Sequence, residues 1–414
     1  MRRPSLAAIF LTVFLDLLGF GLVLPFLAKE ARDAFGVSEM VGTLLGSVYS
    51  LMQFLFVPVW GRLSDRVGRR PVLLWSIAGT SMSMAGLGLG LAFGGSVAWL
   101  FAARIFSGIA TANLGTASAY IADITKPEER AKGMGMIGMA FGLGFILGPG
   151  IGGALAKYEI NGHHGSVPCF VAAALSAVNF AWAAAGLAES LPPAARAKSK
   201  RSLAPMDLSA MKAAFARPGF ALAVLVNFIV IASFTNLDQT FTFYCADLFS
   251  IDEAGTGIIL AFIGVVAAAV QGGLVRRISG KVSDAFLVRS GVVLQAFAFA
   301  GLVLAGGQRS AALLYAAGAV LALGNGLSQP GTSAYVSNSA PASEQGGALG
   351  TNQAFASLAR TIGPAAGGWF YATLGPRAPY VAATAGMIVA SLFAIGLVSR
   401  PPAARAPATR ATER

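Results

Sequence analysis

Apolar residues dominate this chain in long runs, and the polar positions gather between them. Twelve such runs lie near 6–28, 40–60, 73–94, 97–120, 133–156, 167–188, 218–244, 254–274, 286–305, 310–336, 347–371 and 377–399. Each has about the 20 residues that an α-helix needs to cross a hydrocarbon layer roughly 30 Å thick. The shorter alternating segments of a transmembrane barrel do not occur in the sequence. The pattern predicts an all-α polytopic membrane protein with twelve transmembrane helices. Composition agrees, since 56% of the 414 residues are hydrophobic and only 12% charged, too few to cover soluble domains. The first run follows Arg2 and Arg3 and could be mistaken for a secretory leader. It is too long for one, holds Asp16 and Pro25, and lacks a small-residue cleavage site, so it is read as the first helix.

The formal net charge of +12 could point to nucleic acid, but its placement points elsewhere. With both termini inside, inner segments hold 22 Lys/Arg and outer loops only five: Lys29, Arg32, Lys157, Arg309 and Arg377. This is the positive-inside asymmetry of a membrane protein with cytoplasmic termini, and it removes the need for a nucleic-acid partner. Cys169 and Cys245 lie in or beside apolar runs far apart in sequence, which argues against a structural disulfide.

A repeat divides the chain. "GPGIGG" at 148–153 and "GPAAGG" at 363–368 are 215 residues apart, as are "SAYIAD" at 118–123 and "SAYVSN" at 333–338. Gly61 and Gly68 recur as Gly273 and Gly280 at an offset of 212. Two pseudo-symmetric six-helix bundles are expected, 1–188 and 218–400, joined by a Pro-, Ala- and Lys/Arg-rich cytoplasmic linker at 189–217. The linker is expected to hold a short amphipathic helix near 206–216, and the tail 401–414 to be disordered. Parallel six-helix repeats place a substrate site near the midplane between the halves.

Several motifs carry a resemblance. "GRLSDRVGRRP" at 61–71, "GLGFILGPGIGG" at 142–153, "LDLLGFGLVLP" at 15–25 and Arg104 in "RIFSG" resemble the major facilitator superfamily over about 390 residues. The chain looks like the twelve-helix drug:proton antiporters of that family, the tetracycline exporters among them. The resemblance implies proton coupling through Arg104. It gives a hinge or leak-seal role to Gly148, Pro149, Gly152 and Gly153, and makes Gly61, Asp65, Arg66, Gly68, Arg69 and Arg70 a latch between the halves. Aligned on "RRPVLL", an acid, a histidine and a second acid of the tetracycline exporters fall on Ser83, Ala267 and Gln295, whereas Gln271 matches their glutamine.

Charge inside a membrane costs about 2.5–3.5 kcal/mol per group on insertion scales, so each case needs a reason. Asp16 lies about ten residues into the first helix and suits a proton-exchanging group; an ion pair with Arg104 that fixes helix 1 against helix 4 is the plainer reading. Asp238 in "TNLDQTF" is either a cation or proton site or a marker of the outer mouth. Arg104 and Arg360 favour anionic cargo, Asp16 and Asp238 cationic cargo. Asn113, Gln271, Gln295 and Gln329 are cavity candidates, with interhelical hydrogen bonding as the commoner role of such amides. The adjacent His163 and His164 lack companion ligands, so no metal is expected. Asp65 is expected against the positive N-terminal end of helix 11, an attraction of about 0.3–1 kcal/mol; the second half has Arg277 at that position.

The sequence reading is a secondary active transporter, not an enzyme, exporting small amphiphilic molecules in exchange for protons. A symporter or uniporter of organic anions or sugars, and a non-transporting sensor, are its rivals. No ATP-binding loop is present in the sequence, so the proton gradient supplies the energy and no cofactor is needed. Partners are the cargo, protons and lipid; a monomer in a bacterial inner membrane is expected.

Overall fold

The computed structural model describes residues 5–111, 114–125, 130–161, 164–196, 215–217, 219–278, 281–340 and 345–398. The amphipathic helix expected near 206–216 and the tail 401–414 lie outside this set, apart from residues 215–216.

Twelve long helices follow one another. In the first half they are α1 (Leu6–Phe35), α2 (Glu39–Val67), α3 (Arg69–Ala92), α4 (Val97–Ala110, continuing as Leu114–Ile124), α5 (Arg130–Ala156) and α6 (Ser166–Gly186). The second half holds α7 (Phe220–Phe249), α8 (Glu253–Ile278), α9 (Asp284–Gln308), α10 (Ala311–Asn338), α11 (Gln345–Leu374) and α12 (Ala378–Ile395). Ten of these spans are long and apolar enough to cross a membrane. Their starts follow local chemistry. Ser38, Ser96, Ser283 and Ser310 each accept a backbone N–H of the following turn, as does the Asp252 carboxylate at 2.8 Å from the Gly255 nitrogen. The helices outrun the apolar runs that predict them: α1 and α2 each continue about one to two turns through charged residues. Those extra turns carry the bridging charges described below.

Each half packs around its own apolar core, one with Leu22, Leu45, Leu87 and Leu100, the other with Phe220, Val292, Phe299 and Tyr380. The repeat extends to hydrogen bonds. Tyr120 Oη donates to the Ala188 carbonyl at 2.8 Å, while Tyr335, 215 residues on, accepts from the Val398 N–H at 3.2 Å. Arg70 donates to the Ala184 carbonyl at 2.8 Å, and Arg289 to the Ala394 and Ile395 carbonyls at 2.9 Å each. In both halves, then, an arginine closes the C-terminal end of the last helix, satisfying carbonyls that the helix leaves open.

The halves meet through α2 against α11, α5 against α8, and α1 and α2 against α7. This is a twelve-helix membrane fold of two pseudo-symmetric six-helix bundles.

Candidate functional site

The centre of the interface is built around Tyr49, a residue that sequence reasoning passed over. Tyr49 lies midway along α2 and is 5% exposed. Its hydroxyl accepts from Thr111 Oγ1 at 2.8 Å and from Gln53 Nε2 at 3.4 Å. Phe20 of α1 lies against its ring, with centroids 5.1 Å apart and planes at 31°. Over the ring sits the Arg104 guanidinium, 4.3 Å from the centroid, a cation–π contact. Arg104 is fully buried, and its Nε donates to the Leu45 carbonyl at 3.3 Å. Gly108 allows this, because α4 there lies against the Tyr49 backbone with no room for a side chain.

Arg104 therefore does not pair with Asp16; its seat is aromatic. Asp16 of α1 and Arg360 of α11 both lie within electrostatic range of Tyr49, and Asp238 of α7 within range of Arg104. Four helices from two bundles thus direct charge at one region. Asp238 accepts from its neighbour Gln239 at 3.1 Å, and the Gln239 side chain lies on Gly46 of α2 in the other bundle. Arg360 is half-buried and makes no ion pair with any described residue.

The remaining amides separate. Gln295 is buried in the seam of α9 and α10, donating to Ser328 Oγ at 2.8 Å. That is an interhelical hydrogen bond and not a cavity wall, a correction to its reading as cargo-facing. Gln271 is exposed and sits in a π-helical stretch, Val270–Val275, of α8. Such one-turn widenings rotate the residues that follow relative to the helix before it. Gln329 is half-buried on α10; Asn113 and His163 lie outside the described residues. His164 pairs with Glu159 at 2.8 Å, and the described residues contain no cluster able to hold a metal.

The end opposite the 61–71 loop is bridged by charge. Lys29 of α1 pairs with Glu253 of α8, and Arg32 with Asp247 of α7 at 3.2 Å. Tyr371 of α11 donates to Asp247 at 2.8 Å, Arg32 lies 4.7 Å from the Phe243 ring centroid, and Arg32 also meets Glu39 at 3.3 Å. Just below, the 148–153 motif brings backbones together. Gly148 lies on Gly21 of α1, Gly152 on Leu22, and Gly153 on Gly257 of α8, where an added Cβ would fall within 3.0 Å of the facing backbone. Small residues permit that approach and Pro149 can be accommodated in the helix beside it. At the loop end the picture reverses: a Cβ added at Gly61, Gly272, Gly273 or Gly350 would meet no described atom within 4 Å.

The loop itself is tied within its own half. Asp65 pairs with Arg69 at 2.6 Å, and Arg69 Nε donates to Asp123 at 3.2 Å. Its expected partner, the start of α11, is not among its described contacts. Glu189, at the exit of α6, accepts the Arg69 and Arg70 backbone N–H groups at 2.9 and 3.3 Å and pairs with Arg196 at 3.3 Å. Gly68, at φ 109°, faces that carboxylate with no space for a Cβ, so glycine is required there twice over. Arg66 lies in the last turn of α2 and Arg70 in the first of α3.

Two bundles of membrane helices, with buried charge at their interface and no catalytic constellation among the described residues, define a membrane transport protein. The sequence matches the Major Facilitator Superfamily over residues 9–327 and 279–413, and the chain belongs to that family, whose members are transporters and not enzymes. It is 31% identical to Major facilitator superfamily domain-containing protein 10 of Bos taurus, across 96% of this chain and 93% of that one. It is 30% identical to Tetracycline resistance protein, class D, of Salmonella ordonez, across 88% of each. Among solved structures it resembles the human organic anion transporter MFSD10 (TETRAN), at 26% identity and a TM-score of 0.68 over 94% of this chain and 98% of that one. A D-xylose-proton symporter shares the fold at 16% identity and a TM-score of 0.78, over 95% and 97%.

Proposed function

We propose that this transporter exports small amphiphilic molecules in exchange for protons, by alternating access between its two bundles. The observation that carries the reading is the convergence of Asp16, Arg104, Asp238 and Arg360 on one interface that is bridged at one end and open at the other. Alternating access needs such a region, exposed to one side at a time. In this reading both termini and the 61–71 loop face the cytoplasm of a bacterial inner membrane. The structure is then the inward-open state, with the Lys29–Glu253 and Arg32–Asp247 pairs as the closed outer gate. Asp65 holds Arg69 here and turns to α11 when the inner end shuts, which is when the latch acts. The protein works as a monomer on the proton gradient, without a cofactor.

Asp16 carries the proton and Arg104 responds to its charge. Replacing Asp16 with Asn is expected to abolish uphill, pH-driven export while insertion and folding persist; unchanged export would refute the role. An anionic cargo is the second reading. It is favoured by Arg360, which has no carboxylate partner among the described residues, and by the similarity to a protein described as an organic anion transporter. The two readings differ in sign. A cationic cargo competes with the proton for the carboxylates, whereas an anion and a proton favour each other's binding. A transport screen of tetracycline, a lipophilic cation and an arylsulfonate in an efflux-deficient host separates them.

A further inference from the structure

We propose that the Tyr49 ring is the resting seat of the Arg104 guanidinium, a positioning residue that holds the arginine until a carboxylate at the interface takes it over. The inference rests on the reading of Arg104 as part of the coupling machinery and says how it is held between transport steps.

A guanidinium has five N–H donors. Here Nε is used on Leu45, while Nη1 and Nη2 are buried and make no hydrogen bond with described residues. A cation–π contact contributes about 0.5–2 kcal/mol, less than the several kcal/mol that burying an ion costs. Arg104 is thus kept in place by its surroundings with most of its hydrogen-bonding capacity unspent. The groups able to use that capacity are close at hand. Cys169 of α6 and Asp238 of α7 act on Arg104, while Asp16 of α1 and Arg360 of α11 act on Tyr49. A carboxylate that loses its proton becomes an acceptor for the guanidinium, and one that gains a proton gives the arginine back to the ring.

The ring is fitted to be a seat. Thr111 of α4 and Gln53 of α2 fix its hydroxyl, and Phe20 of α1 backs it at 5.1 Å. Phe20 shares its helix with Asp16 and with the gate residues Lys29 and Arg32. A rearrangement of α1 at the outer gate therefore reaches the seat directly.

The test reads state occupancy against pH and needs no cargo. Spin labels at Tyr158→Cys and Leu374→Cys, both exposed near the bridged end, report the separation of the bundles by pulsed electron resonance, with Cys169 and Cys245 replaced by Ala. In the parent protein the distance distribution should titrate with pH. Tyr49→Phe keeps the aromatic face and should leave the midpoint in place. Tyr49→Leu removes the face and should move it by about one pH unit, a tenfold change in the equilibrium. In an Arg104→Ala background Tyr49→Leu should add no further shift. Tyr49→Met carries the same expectation if the leucine variant fails to insert. The proposal is overturned if Tyr49→Leu keeps the parent profile, if Tyr49→Phe shifts as far, or if the shift persists without Arg104. A parent protein with no pH response would overturn the proton-coupled reading and the seat with it.

Discussion

Single residues here do work that their type alone does not announce. Lys29 and Arg32 enter the sequence as two of five basic residues on the outer side, exceptions to the charge rule. In the fold they are the two that bridge the bundles. Partly buried pairs of this kind are worth about 1 kcal/mol each, so Arg32→Ala should open the outer end roughly fivefold more often. Accessibility of a thiol placed near Phe243 measures it, and Arg32→Asp combined with Asp247→Arg should restore closure. Arg289 shows the structural counterpart. Its guanidinium serves the Ala394, Ile395 and Leu397 carbonyls, so Arg289→Ala should cost about 1.5–3 kcal/mol in thermal unfolding without altering pH dependence. Neither role is readable from sequence, because a cation's partner is fixed only by tertiary proximity. Arg104 makes the same point: its cost was legible, its aromatic partner 55 positions earlier in the chain was not.

At the scale of elements, the twelve helices and their order were legible from run length, since lipid removes every alternative for the backbone. Helix ends were less so, because charged turns beyond the hydrocarbon leave no apolar signal. Which face of a helix looks inward was not legible at all. Lipid-facing and core-facing surfaces are both apolar, and an amide such as Gln295 carries no mark of its direction. The 148–153 motif was legible as small-residue packing, and its partner is now specific: α5 meets α8 through Gly153 and Gly257. Gly257→Val should wedge that contact apart, costing about 1–3 kcal/mol of overpacking. Transport should fall sharply while membrane insertion is retained. Glu189→Ala, which uncaps α3, should weaken the loop at the other end, with a loss of maximal rate and little change in half-saturation.

For the whole molecule, the repeat in the sequence and the paired arginines at the ends of α6 and α12 describe the same duplication. The halves then diverged where they meet. Asp65, Arg69 and Asp123 form a charge network in one half, whereas the positions 215 residues after Arg69 and Asp123 hold Asp284 and Asn338, joined at 2.8 Å. A duplicated scaffold with one charged latch, one charged outer gate and a buried arginine between them is arranged to occupy two states. The most direct measurement is proton movement in vesicles that carry the purified protein and an internal pH dye. Cargo added outside, drawn from the same panel of probes, should drive protons out and make the lumen alkaline, and Asp16→Asn should abolish the signal. Lumenal acidification, or cargo uptake with no pH change, would contradict proton antiport.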